Sequence, residues 1–215
     1  MSTQPILAFD CATVGASIAL RVHGNTTTRQ IGQTAQAAEL LPAIASLMEE
    51  AQVGYAELGC IITTIGPGSF TGVRIGLAAL HGLVLVSQTP IKTLTTLQAM
   101  AWAVARKPHA PEQFWIALRA GKGELYAQKF IANAGVPVAD SAITLLPESF
   151  TAWDAACYAN HVSVNDPYFI HGPHGATMCA IAEYLPATTL AEALPLYIRA
   201  PDAIAAAPHA WLQLN

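Results

Sequence analysis

Hydrophobic and polar residues follow a strand-like pattern over the first part of the chain. An apolar run at residues 6–10 is followed by an alternating run at 15–22 and a run rich in β-branched threonine at 25–31. Alternation and branched side chains are typical of extended segments. The pattern therefore predicts three strands joined by tight turns at residues 13–15 and 23–25.

The next segment has the period of a helix. From residue 40 to residue 51 the apolar side chains fall on an arc of about 120°, which is typical of an amphipathic helix. Glu39, Ser46 and Glu50 lie on the opposite side. Pro42 has no amide proton, so we expect it to kink this helix or to lie in its first turn.

The remaining pattern predicts a mixed sheet covered by helices and then a second lobe. Two prolines in residues 107–112 indicate a linker. We therefore predict an N-terminal lobe at 1–106 and a smaller C-terminal α/β lobe at 107–215, with its tail packing back on the first lobe. The further predicted elements are a strand at 60–65, a helix at 72–87, a strand near 91, a helix at 96–106, a hairpin of 114–118 with 124–131, a strand at 168–171 and a helix at 176–185.

Composition narrows the function classes. Charged residues make up only 11% of the chain, and the net charge is −4 with ten lysines and arginines. A stand-alone nucleic-acid binder needs a concentrated basic surface, so we expect any link to RNA to run through a partner. Four cysteines without a CxxC pair favour a reducing compartment. The N-terminus lacks a signal-peptide pattern. The apolar run 75–86 would rise only about 18 Å as a helix, whereas the hydrocarbon core of a bilayer is about 30 Å thick. We expect a cytoplasmic protein without membrane contact.

A glycine-rich loop at residues 66–76, GPGSFTGVRIG, separates a predicted strand from a predicted helix. Amide groups at such a helix start favour an anion. The loop is neither a Walker loop nor a GxGxxG motif, because no lysine follows its glycines and its spacing differs by one residue. A plainer interpretation is that Ser69 or Thr71 caps the helix. Arg74 then needs an anionic partner, and Asp10 is one candidate.

The helix after this loop is apolar on two sides. One side carries Val73, Leu77, Leu80 and Val84, and the other carries only small residues, which permit close approach of a second helix. That second helix could belong to another subunit or be the helix at 40–51 of the same chain. The predicted partner interface comprises Leu40, Leu41, Ile44, Leu47, Met48, Gly72, Gly76, Ala79 and Gly82.

Two further groups of residues are candidates for a chemical site. His171, His174 and Cys179 superficially resemble a ligand cluster, but the spacing lacks a suitable third ligand, so a capped turn is the favoured interpretation. Ser69 stands outside a GxSxG motif and has no histidine nearby in sequence, which disfavours a nucleophile. The four tryptophans are expected to pack in cores or between lobes.

The chain contains, in this order, the segments ILAFD, ELLPAI, GPGSFTGVRIG, TLTTLQAMA, GELY and YIRAPDA. Together these motifs resemble the bacterial TsaB (YeaZ) family of the actin-like ATPase superfamily. The resemblance covers nearly the whole chain and implies two lobes of ribonuclease-H-like topology. It implies pairing with the paralogue TsaD, which carries the active site, together with the ATPase TsaE. Their complex transfers a threonylcarbamoyl group onto N6 of adenosine 37 of tRNAs.

The resemblance also implies that the ancestral nucleotide site has decayed. Ala12 stands where active members favour glycine, and Ala117 stands where many relatives have aspartate. Gln36 replaces a histidine common in relatives, and Cys11 is a further departure. We therefore expect no catalytic residue, no metal and no cofactor, apart from a nucleotide that a subunit junction could hold. The candidate remnant of the phosphate loop is Asp10, Thr13, Gly66, Gly68, Ser69, Thr71 and Arg74.

The leading hypothesis is a scaffold subunit that pairs with TsaD and forms a homodimer when alone. The sequence also allows two alternative functions. One is a small ATPase or kinase that uses Asp10 and the glycine loop, and the other, least favoured, is a peptidase related to glycoprotein endopeptidases.

Overall fold

The computed structural model describes residues 4–13, 15–160, 162, 166 and 168–198. They contain two five-stranded sheets and four α-helices. The strands of the first sheet are β1 (Ile6–Asp10), β2 (Ala16–Val22), β3 (Asn25–Ile31), β4 (Cys60–Thr64) and β5 (Ile91–Leu94). The helices are α1 (Gln36–Glu50), α2 (Phe70–Ser87), α3 (Thr96–Ala105) and α4 (Gly175–Ala180).

The first sheet is mixed and has the order β3-β2-β1-β4-β5. Strands β1, β2 and β3 pair antiparallel, whereas β4 is parallel to both β1 and β5. Every residue of β1 is buried, because helices cover both faces of the sheet at its centre. Leu7 and Phe9 pack with α1 and α2 on one face. Ala8 and Ile62 pack with α3 and α4 on the other.

The second sheet repeats part of this arrangement. Its order is β10-β6-β7-β8, and β9 pairs with the other half of β7. As in the first sheet, a central strand pairs antiparallel with the strand that follows it and parallel with a later one. Helix α3 also packs on this sheet, through Leu97 and Met100 against Phe114 and Phe130. The strands are β6 (Gln113–Gly121), β7 (Glu124–Asn133), β8 (Val136–Ala139), β9 (Thr144–Pro147) and β10 (Ala156–Ala159).

The segment after α4 returns to the first sheet. Thr188 forms an isolated bridge with Ile91 at the edge strand β5. The amide of Leu196 donates to the carbonyl of Ile65 at 2.7 Å. Residues 188–196 therefore pass beside β5 and the end of β4. Residues 199–215 of the predicted tail lie outside the described part of the chain. The lobe boundary at 106/107 stays a prediction.

The elements predicted for residues 6–106 are confirmed, with shifted ends. Helix α1 begins at Gln36 rather than residue 40, so Pro42 lies inside the helix and not in its first turn. In the second sheet the predicted hairpin is present as β6 and β7. The predicted strand at 168–171 is wrong, since only Phe169 bridges to Ala159. The helix predicted at 176–185 ends at Ala180 and continues as a 3-10 turn.

Helix α2 is longer than predicted. Its 18 residues are long and apolar enough to cross a bilayer by length and composition alone. Seven of them, however, are buried inside the protein, and Leu80 is fully enclosed by the core on the α1 side of the sheet. Helix α2 is therefore a helix of the protein core that also exposes an apolar surface.

Candidate functional site

Asp10 ends β1 in the interior of the protein. Its carboxylate accepts hydrogen bonds from the amide of Ala12 at 3.2 Å, from the hydroxyl of Thr13 at 3.0 Å and from the hydroxyl of Thr64. Only 1% of Asp10 is exposed. Burial raises the pKa of this carboxyl above its ordinary value, although these three hydrogen bonds act to lower it. Asp10 is thus held by the chain itself.

Asp10→Asn tests this environment through the pH dependence of stability. Because its pKa is raised in the folded protein, Asp10 binds its proton more tightly in the native state than in the unfolded state. Its contribution to the free energy of unfolding is therefore greatest below the unfolded pKa of about 4. This contribution declines as pH rises through the folded pKa. We expect the free energy of unfolding of the native protein to fall relative to that of the variant over this range. Urea denaturation at a series of pH values measures the difference. A difference that grows in favour of the native protein with rising pH contradicts this expectation.

The glycine loop packs against the β1–β2 turn. The amide of Ser69 donates to the carbonyl of Ala12 at 2.7 Å, and its hydroxyl accepts from the amide of Gly72 at 3.1 Å. Ser69 therefore caps α2, as the plainer interpretation predicted. A Cβ on Gly68 would collide with the carbonyl oxygen of Ala12, and one on Gly72 with that of Cys11. These glycines allow two backbone segments to touch.

Gln36 holds the same turn from α1. Its amide nitrogen donates to the carbonyls of Cys11, at 3.3 Å, and Gly15. The side chain is buried. In the sequence, Gln36 is noted only because it replaces a histidine. Its contacts could not be predicted from the local pattern, because the carbonyls that it binds lie more than 20 positions earlier in the chain. Gln36 positions the turn that follows Asp10.

Arg74 does not pair with Asp10, so that candidate pairing is wrong. Its guanidinium carbon lies 3.6 Å from the centroid of the Phe70 ring, and its Nε donates to the hydroxyl of Tyr197 at 3.0 Å. Asp10 is buried and accepts hydrogen bonds from Ala12, Thr13 and Thr64 instead. Among the predicted loop residues the structure brings Asp10, Thr13 and Ser69 to the β1–β2 turn, whereas Thr71 and Arg74 lie exposed on α2. The assignment of this set, including Gly66, as a phosphate-loop remnant stays a prediction.

Most residues of the predicted partner interface are not on the surface. An amphipathic helix buries its apolar side, but the helical period does not say against what; here α1 and α2 bury theirs against their own sheet. Gly72 and Gly76 face Cys11 rather than another subunit. Leu41 and Gly82 remain exposed. The residues corrected to interior positions are Leu40, Ile44, Leu47, Met48, Gly72, Gly76 and Ala79.

A different set of small and apolar residues of α1 and α2 faces outward, and we call it the apolar strip. Leu85 and Val86, at the end of α2, are 77% and 80% exposed. The two helices contact each other on the same face of the sheet. The apolar strip consists of Ala38, Leu41, Pro42 and Ala45 of α1 and Ala78, Gly82, Leu85 and Val86 of α2.

The cleft beside the β1–β2 turn holds a cavity of about 500 Å³ lined in part by Thr13, Asn160, His171 and His174. The ring of His174 accepts from the amide of Ala176 at 3.3 Å and caps α4, which confirms the capped turn. Cys179 is buried in the core instead. Across the described ranges, no group of three or more histidine, cysteine, aspartate or glutamate side chains is placed to hold a metal ion.

The two sheets, each with a central strand paired antiparallel and parallel, define the actin-like ATPase class with ribonuclease-H-like topology. A solved structure of YeaZ from Pseudomonas aeruginosa superimposes with a TM-score of 0.75 at 25% identity, over 91% of this chain and 100% of that one. A family model described as TsaD, tRNA N6-adenosine threonylcarbamoyltransferase, matches residues 26–144. The chain belongs to this family and, within it, to the TsaB (YeaZ) group.

Curated relatives agree with this assignment. The chain is 30% identical to the tRNA threonylcarbamoyladenosine biosynthesis protein TsaB of Haemophilus influenzae over 61% of its length and 56% of that protein. It is 32% identical to the TsaB of Escherichia coli K12 over 56% of its length and 52% of that protein. The matched part thus spans about half the length of these relatives.

Proposed function

We propose that this chain is a non-catalytic subunit that pairs with a TsaD paralogue in the complex that makes N6-threonylcarbamoyladenosine at position 37 of tRNA. The names of its relatives, which place them in threonylcarbamoyladenosine biosynthesis, support this pathway. In the proposal, TsaE joins through the complex, tRNA is contacted through the partner, and the isolated chain forms a homodimer. It acts as a soluble cytoplasmic protein.

The apolar strip is the observation that carries the proposal. Soluble monomers rarely expose a large continuous apolar surface, and such surfaces mark protein interfaces. Leu85 and Val86 are largely exposed to solvent. Ala78 and Gly82 are small residues, so a partner helix can approach closely there. This surface suits helix-on-helix pairing with a subunit of the same fold.

The surroundings of Asp10 and Ala117 support assigning the chemistry to the partner. Asp10 is buried and its oxygens accept from three donors of this chain. Ala117, at the position where the family resemblance implies a carboxylate, is buried in β6. We therefore propose no cofactor for this chain alone, and any nucleotide would bind at the junction with the partner.

Leu85→Asp tests the interface. We expect it to weaken binding to the TsaD paralogue by about fivefold or more, since buried interface anchors are worth over about 1 kcal/mol. The matched control is Val138→Asp, which alters an exposed apolar residue on the second sheet and leaves binding unchanged. Calorimetric titration measures affinity, and a threonylcarbamoylation assay with and without the chain measures function.

Two results would contradict the proposed function. One is a wild-type chain that neither binds the TsaD paralogue nor raises modification of tRNA. The other is nucleotide turnover by the isolated chain that Asp10→Asn abolishes, which would favour the small ATPase instead.

A further inference from the structure

Three side chains near the start of α2 form an exposed cluster, which we call the Arg74 cluster: Phe70, Arg74 and Tyr197. The guanidinium lies 3.6 Å from the Phe70 ring centroid and 5.9 Å from the Tyr197 ring centroid. The two rings are 5.4 Å apart. The Nε of Arg74 also donates a hydrogen bond to the Tyr197 hydroxyl at 3.0 Å. Arg74 is thereby held in one orientation although it is exposed.

Within the part of the chain that the structure describes, no acidic side chain balances the charge of Arg74. Ion pairs are made by Arg29, Arg119 and Lys129, and Arg74 makes none with any residue of the described ranges. Its two terminal amino groups have no hydrogen-bond partner there, because its one hydrogen bond uses Nε. The first turn of α2 also lacks an acidic residue. A planar guanidinium with two free amino groups matches the two oxygens of a carboxylate.

An apolar groove of about 240 Å³ continues from the guanidinium along α2. It is lined by Arg74, Leu77, Ala78 and His81 and by residues 193–195 of the returning segment. Leu194 on its rim is 61% exposed and Phe70 is half exposed. Ala78 belongs to both the groove and the apolar strip, so the two surfaces are continuous. Arginine and aromatic residues beside an apolar groove have the composition of an interface hot spot.

We propose that the Arg74 cluster binds a carboxylate side chain of the TsaD paralogue, with a neighbouring apolar side chain of that partner in the groove. This inference rests on the proposed function and names the polar anchor of its interface. The pre-organised guanidinium loses little conformational freedom on binding. A phosphate of RNA fits this surface less well, because the chain has 14 acidic against ten basic residues and RNA binding needs several cations together.

Affinities of three variants for the TsaD paralogue test the inference. We expect Arg74→Gln to weaken binding about tenfold or more, since a charged hot spot is lost. Arg74→Lys keeps the charge but lacks the planar pair of donors, so it stays weaker than wild type. The control is Arg106→Gln, which alters an exposed arginine at the end of α3 and leaves binding unchanged. Wild-type affinity falls with added salt more steeply than that of Arg74→Gln.

The outcomes separate this inference from the proposed function. If wild type does not bind the TsaD paralogue, both are overturned. If wild type binds and Arg74→Gln binds equally well, the carboxylate site alone is overturned. It is also overturned if Arg74→Gln weakens binding of the isolated chain to tRNA while leaving the TsaD affinity intact. A further test uses Asp202, an acidic residue of this chain's own C-terminal segment. If the effects of Arg74→Gln and Asp202→Asn on thermal unfolding are not additive, the two side chains interact within the chain. That result would also overturn the carboxylate site proposed for the partner.

Discussion

Gly72→Ala is expected to destabilise the protein by about 1–3 kcal/mol, since overpacking a tight contact forces the backbone to shift. A Cβ at this position meets the carbonyl oxygen of Cys11. Neither side can yield easily, because Cys11 lies in the buried turn after β1 and Gly72 lies in the first turn of α2, capped by Ser69. The collision is thus between two backbone segments.

Gly82→Ala is the matched control in the same helix. The added Cβ meets no atom within 4 Å, and glycine inside a helix costs about 0.5–1 kcal/mol relative to alanine. We therefore expect this variant to be more stable by about that amount. Urea denaturation of both variants measures the two free energies of unfolding. Equal effects of the same sign would show that α2 does not pack against the β1–β2 turn as described.

These two glycines also show where sequence reasoning reached its limit. Gly72, Gly76, Ala79 and Gly82 share one side of a helical wheel, and the wheel alone assigns them a common role. In the structure the first three are buried in the protein, whereas Gly82 is exposed. A Cβ on Gly72 or Gly76 would lie within 4 Å of Cys11, whereas a Cβ on Gly82 would meet no atom within that distance. A helical period identifies a side of a helix but not its neighbour.

Much of the fold could be predicted because its signals are local. The short apolar run of β1, the cap at Ser69 and the cap at Thr95 with Gln98 all involve residues within a few positions of one another. The contact of Arg74 with Tyr197 spans 123 positions, and no local pattern encodes it. The second lobe was predicted less well, since β8, β9 and β10 have only four residues each.

The position of Asp10 at the end of a strand could be predicted from the sequence, but its enclosure could not. Asp10 was singled out, and the structure places it at the end of β1 as expected. Its enclosure depends on Thr64, 54 positions away, and on Gln36, which holds the adjoining turn. Whether a carboxylate faces a cleft or the interior is decided by such distant donors. For the same reason the sequence suggested Asp10 as a partner for Arg74, whose side chain lies on the surface.

Ile44→Ala is expected to destabilise the protein by about 2–5 kcal/mol, the usual cost of truncating a large aliphatic side chain in a packed core. Ile44 is completely buried, in the core that α1 forms with α2 and the first sheet. Sequence reasoning placed it in a partner interface together with Leu41. Leu41 is 50% exposed, so Leu41→Ala should change the stability of the isolated chain by no more than about 0.5 kcal/mol.

Ile44→Ala and Leu41→Ala therefore distinguish the side of α1 that packs in the core from the side that is available to a partner. Urea denaturation separates them by stability, and titration with the TsaD paralogue separates them by affinity. We expect Leu41→Ala to weaken pairing while the protein remains as stable as wild type. If Leu41→Ala instead unfolds the chain and Ile44→Ala leaves it stable, α1 is rotated about its axis relative to this structure. In that case the apolar strip, and the surface proposed for the partner, would have to be reassigned to the opposite side of the helix.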